Sequence, residues 1–174
     1  MRIKSSIVLL LIITSFSITL GCGYHIMGRG GEFPGEIQSL AIGPLENTTK
    51  EANLNAIFVS ALHREFINRR EVEIVSEKKA DASLQGTITS ITTHSIAYDR
   101  EARATEYRVT IIMDLRLVRQ GNGEILWRGD GIRGFDEYLA STDVIVEEGR
   151  KNATIRKIAD DLAEKIYIEI KERF

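Results

Sequence analysis

The 174 residues contain one cysteine, two prolines, three histidines and one tryptophan. A lone cysteine, Cys22, cannot form an internal disulfide, so no disulfide framework holds the fold. His25, His63 and His94 are scattered, with no cysteine or carboxylate at ligand spacing, and they are read as ordinary surface histidines. With two prolines and no low-complexity tail, a long disordered region is not expected. There is no Gly-x-Ser-x-Gly, no phosphate-cradling glycine loop and no His-Glu-x-x-His, so the chain is read as a non-enzyme with no metal or cofactor. An excess of positive charge is also missing. Without Arg2 and Lys4, which fall in the leader described below, 21 Lys and Arg stand against 25 Asp and Glu, a formal net charge of −4. General nucleic-acid binding, which depends on clustered cations, is thereby disfavoured. The one apolar run, from Ser5 to Leu20, is shorter than the roughly 20 apolar residues a membrane span needs and ends in Gly-Cys-Gly.

That run is an export signal, with Arg2 and Lys4 ahead of it and small residues behind. Gly21-Cys22 adds the layout of a bacterial lipoprotein, in which the cysteine thiol takes a diacylglycerol and its freed amine an acyl chain. Thr19 stands where leucine is usual, with Leu20 one place later. Lipidation accounts for a lone thiol in an oxidising compartment, and two or three chains at about 0.8 kcal/mol per buried methylene make a durable anchor. Residue 23 is glycine where an aspartate would favour inner-membrane retention, so the expected destination is the outer membrane, facing the periplasm. The expected division is a signal peptide over 1–21, lipidated Cys22 with a glycine-rich tether over 22–36, and a single periplasmic domain over 37–174.

Within the domain, Ile37 to Ile42 reads as a short strand. Asn47-Thr48-Thr49 offers caps for a helix over Lys50 to Arg70, where Leu54, Ile57, Phe58, Ala61, Leu62 and Phe66 recur at helical spacing. Glu71 to Ser76 reads as a second short strand, and Ala82 to Tyr98 as a long one with a bulge between Ile88 and Ile91. Asp99 to Ala104 is a charged hairpin loop. In the next strand Tyr107, Val109, Ile111, Met113, Leu115 and Leu117 face one way, while Arg108, Thr110, Asp114 and Arg116 face the other. Gln120-Gly121-Asn122-Gly123 is a tight turn into an antiparallel strand over Glu124 to Ile132, with Trp127 as a core anchor. Ser141-Thr142-Asp143 caps a last helix to Arg173, interrupted near Gly149, whose stripe runs from Ile155 to Ile170. The expected fold class is α+β, two-layer, in the order βαβββα, with two helices on one face of a four-stranded mixed sheet.

Gly21-Cys22-Gly23-Tyr24-His25 after the signal, Thr105-Glu106-Tyr107 opening a strand after a charged loop, and the order of elements together resemble LptE, the lipopolysaccharide-assembly lipoprotein family of the outer membrane. The resemblance implies a domain that plugs a large β-barrel of the LptD kind, assists its assembly and binds lipopolysaccharide. It also implies that the binding is made partly by basic residues, one of them in the loop before the Glu-Tyr strand. Arg100 matches that place and Arg103 is close by; Arg150 and Lys151 are nearest to a second basic position by the last helix. Arginine suits the task because it grips phosphate bidentately. The same loop reads equally as a solvated charge cluster, since Asp99 and Glu101 flank Arg100. The competing reading for the whole chain is a periplasm-facing lipoprotein that regulates or builds another envelope machine, a wall-synthase activator or a secretion pore.

Overall fold

The computed structural model describes Phe33 and residues 36–172. The signal peptide, Cys22 and the tether as far as residue 32 lie outside the described residues. The elements are β1 (Ser39–Ile42), β2 (Glu46–Asn47), α1 (Leu54–Arg69), β3 (Glu73–Ile74), β4 (Ala82–Tyr98), β5 (Ala104–Arg119), β6 (Ile125–Leu139) and α2 (Val144–Glu172), with one turn of 3-10 helix at Glu77–Lys79. The sheet runs β3-β1-β4-β5-β6, with β2 also paired to β4. Pairing is parallel among β1, β2, β3 and β4 and antiparallel along β4-β5-β6. The α+β class and the mixed sheet stand, but six strands replace the four expected, and the order βαβββα becomes ββαββββα. Glu71–Ser76 and the meander already make five strands with the first, and Glu46–Asn47 adds a sixth that pairs with Thr87 and Ile88.

Boundaries also move, and β1 and β3 are shorter than expected, at Ser39–Ile42 and Glu73–Ile74. The first helix starts at Leu54, because Asn47 Oδ1 accepts the Thr49 amide and Thr49 Oγ1 accepts that of Glu51, which closes turns and caps nothing. β6 continues to Leu139, held by pairing from Ile112↔Arg133 to Glu106↔Leu139. α2 passes through Gly149 without a break, since an isolated glycine costs a helix only about 1 kcal/mol. Its start is as expected: Asp143 Oδ1 accepts the amides of Ile145 and Val146. The slip in β4 lies between Ile88 and Ser90.

Alternation sets the two faces of β5. Val109, Ile111, Met113, Leu115 and Leu117 are buried in one cluster with Phe58, Leu62 and Phe66 of α1 and with Ile158, Leu162 and Ile166 of α2. Trp127 is buried in it as well, although its indole Nε1 finds no acceptor among the described residues. Phe33 packs beside Phe66 and Tyr167, with ring centroids 6.0 and 6.1 Å away, so the chain enters the core where α1 and α2 end. Gly134 of β6 brings α2 onto the sheet: a Cβ there would lie 2.7 Å from Leu162 Cγ. Among the described residues no helix is long and apolar enough to cross a membrane.

Asp81 ties β1 to the start of β4. Its Oδ2 accepts the Gln38 and Ser39 amides at 3.0 and 2.9 Å and the Ser39 hydroxyl at 2.8 Å. The Gln38 amide first, then Ser39, hold its carboxyl below the ordinary aspartate range. A carboxylate with a depressed folded-state pKa contributes stability above its unfolded pKa of about 3.9 and loses it as pH falls through the folded value. Asp81→Ala should therefore be less stable than wild type at about pH 7, and the difference should close by about pH 2. Denaturant titrations at the two pH values check this; a gap that persists in acid would assign the effect to packing.

Candidate functional site

The β4–β5 hairpin closes at Asp99, whose Oδ1 accepts the amides of Glu101 and Arg103 at 3.0 and 2.9 Å. The resulting turn gives Ala102 a left-handed φ of 60°. Arg103 turns back on the loop, its Nε 2.8 Å from Asp99 Oδ2 and its Nη2 3.4 Å from Glu101. Hydrogen bonds from the Arg103 amide and then its guanidinium hold the Asp99 carboxyl below the usual range. Arg100 is exposed and makes no ion pair or hydrogen bond with any described residue. The loop thus commits one arginine to its own structure and leaves the other available.

The other two basic candidates are structural ties. Arg150 Nη1 donates to the carbonyl oxygens of Leu139 and Ala140, each at 2.9 Å, and fastens α2 to the end of β6. Lys151 Nζ sits 2.6 Å from Glu51 Oε2, with both side chains mostly covered, and joins α2 to the segment before α1. Arg150 nonetheless belongs to the same end of the sheet as the hairpin. Tyr98 pairs with Ala104, Leu139 with Glu106, and the Ala140 amide donates to Thr105 O at 2.9 Å. Hairpin tip, end of β6 and start of α2 therefore share one edge of the molecule.

That end is also apolar. Tyr98 and Leu139 are 62% and 61% exposed, Val144 and Ile145 81% and 84%. No role is expected for these residues from the sequence. The signal was there in Val144-Ile145-Val146: with a turn every 3.6 residues, three consecutive side chains cannot all face a core. A free guanidinium at the same end of the sheet as exposed apolar side chains makes that end amphipathic, able to meet an anionic group and hydrocarbon together.

A groove of about 550 Å³ on the sheet face away from the helices is lined by Glu46, Gln85, Asp114, Arg116 and Arg128 among others. No histidine, serine or cysteine lines it. Among the described residues no group of three or more His, Cys, Asp or Glu is placed to hold a metal ion.

The family model for LptE, described as lipopolysaccharide-assembly, matches residues 37–170. The chain belongs to the LptE family. With that membership come the coarse assignments of an outer-membrane lipoprotein and of a non-enzymatic family concerned with lipopolysaccharide assembly. No curated protein matches the sequence. Among solved structures, an uncharacterized lipoprotein B from Nitrosomonas europaea is similar at 14% identity and a TM-score of 0.58, with 83% of this chain and 88% of that one covered. The rare lipoprotein B from Shewanella oneidensis aligns at 12% identity and a TM-score of 0.51, covering 78% and 95%. PelC from Paraburkholderia phytofirmans, solved as a dodecamer, aligns at 12% identity and 0.52, covering 82% and 96%. These likenesses are of fold.

Proposed function

We propose that this protein binds lipopolysaccharide at the hairpin end and serves as the plug and assembly partner of a large outer-membrane β-barrel of the LptD kind. The observation that carries the reading is Arg100, free at the tip and sharing its end of the sheet with exposed Tyr98, Leu139, Val144 and Ile145. Lipid A presents phosphates and acyl chains side by side, and this end offers a partner for each. Arg103 has a smaller part because it is already paired with Asp99, while Arg150 and Lys151 act through the placement of α2.

The test compares Arg100→Asp and Arg103→Asp with wild type for lipopolysaccharide binding and for co-purification with the barrel. A charge-assisted contact of roughly 1.5–3 kcal/mol corresponds to a loss of about 10- to 150-fold in affinity, expected for Arg100→Asp with the barrel complex intact. Arg103→Asp should weaken binding less. Unchanged lipid binding in both variants would move the site away from the tip. Absence of any barrel from the wild-type preparation would return the chain to the regulator reading.

Attachment follows from the same reading. Cys22 should carry the N-acyl and S-diacylglycerol groups and hold the domain at the periplasmic surface of the outer membrane. Metabolic labelling with a palmitate analogue should mark wild type and not Cys22→Ala, and the variant should leave the outer-membrane fraction. Label retained by the variant, or wild type found free in the periplasm, would refute the anchor.

A further inference from the structure

We infer that the free edge of β4 from Thr89 to Tyr98 is completed by an extended segment of the barrel partner, which adds a strand to this sheet. The inference rests on the proposed barrel partnership and names the contact by which it is made. β4 pairs with β5 along its whole length on one side. On the other side β1 covers residues 82–84 and β2 covers Thr87 and Ile88, with the Thr48 amide donating to Ile88 O at 3.1 Å. From Thr89 onward no described residue pairs with the outer side. A row of backbone N–H and C=O groups at strand spacing is met in register only by another extended backbone, so the edge itself specifies the chemistry of its occupant.

The composition of the edge points the same way. Thr-Ser-Ile-Thr-Thr-His-Ser-Ile-Ala-Tyr has neither acid, lysine, arginine nor proline, and it is rich in β-branched residues. The molecule guards its other edges. β6 carries Arg128, Asp130, Arg133 and Asp136 and bends at a bulge where Gly131 has φ 64°; β3 is two residues long. Between the register shifts in β4, Ser90 to Ser95 is regular, which makes it the usable template.

A second copy of this chain is the poorer occupant. The edge is about 33 Å long, and a strip that long and about 10 Å wide buries roughly 700 Å² over both partners, short of the roughly 1,200 Å² of a stable interface. Antiparallel pairing of two such edges would also point the two hairpin tips in opposite directions and leave both apolar ends uncovered. One larger partner running along the edge can also cover Tyr98, which ends it and is largely exposed.

Amide hydrogen exchange on the full-length lipoprotein in detergent, read residue by residue, tests this. In the free protein every second amide from Ser90 to Ser95 should exchange fast, and in the complex purified with the barrel those amides should slow by about 100-fold or more. Proline placed at whichever of Thr92 and Thr93 has the fast amide should weaken the complex by about tenfold without altering the melting of the free protein. A purified barrel complex in which these amides stay fast would overturn the inference and leave the partnership standing. If no barrel co-purifies, both fall. Slow amides in a preparation that sediments as two copies and holds no barrel would overturn it in favour of self-pairing.

Discussion

A bacterium depleted of this protein should accumulate its lipopolysaccharide-exporting barrel in a misassembled form and show little lipopolysaccharide at the cell surface. The expectation follows from the proposed role as a barrel plug. A catalyst can be reduced severalfold before flux suffers, because each copy turns over; a plug occupies one barrel for the life of the complex. Correctly assembled barrel should therefore fall in step with the amount of this protein, without the plateau an enzyme would give. The unpaired β4 edge and the exposed end at Tyr98, Leu139, Val144 and Ile145 are surfaces that a self-sufficient soluble domain covers or charges, which fits a subunit made to be enclosed. Graded depletion, with barrel assembly followed by protease accessibility and surface lipopolysaccharide by labelling of intact cells, checks the proportionality. Normal barrel and normal surface lipopolysaccharide after full depletion would remove the assembly role.

Leu115→Ala and Leu162→Ala should each cost about 2–5 kcal/mol in a denaturant titration, with Leu115 toward the upper figure. Both side chains are 2% exposed and belong to the cluster that joins sheet and helices. Leu115 lies between Gly86 on β4 and Gly129 on β6, its direct cross-strand partners, and its Cδ2 would be 2.4 Å from a Cβ on Gly86. It fills the space over Gly86, which has no side chain to collapse into the void after truncation. Leu162 occupies the corresponding gap over Gly134 and fixes how closely α2 approaches β6. Losses below about 0.5 kcal/mol at both positions would mean that these faces are not core.

The exposed and paired groups respond differently to such changes. Arg69 bridges Glu65 and Glu164 at 2.7 and 3.1 Å, and Arg64 pairs with Asp160, so ion pairs join α1 to α2 along their solvent side. They are largely exposed and contribute little beside the apolar contacts beneath them. The cohesion of the two helices lives in Phe66, Ile166 and Tyr167, where Phe66 and Tyr167 meet edge to face with centroids 5.3 Å apart.

Local pattern was enough for those parts of the molecule whose causes are local. The alternation from Tyr107 to Leu117 divides β5 into its two faces, the stripe from Ile155 to Ile170 gives α2 its buried side, Asp143 caps that helix, and Gly121 and Gly123 take the positive φ of 93° and 72° that the β5–β6 turn needs. In each case the deciding residues are neighbours in the chain. Tertiary structure decided the rest. β2 is two residues long and is a strand only because β4 lies beside it; β3 keeps only the two of its six expected residues that pair with β1; the charged stretch after Ile132 has no strand pattern and is held by its ladder with β5. Each of the four basic candidates is an Arg or Lys near a turn or helix start, and their surroundings separate them. Arg103 is engaged by Asp99, Arg150 by the carbonyls that end β6, and Lys151 by Glu51 a hundred positions away, while Arg100 alone of the four meets no described partner. Which charge is free for a ligand depends on which others are already paired, and those pairings are made by groups that the chain brings together only on folding.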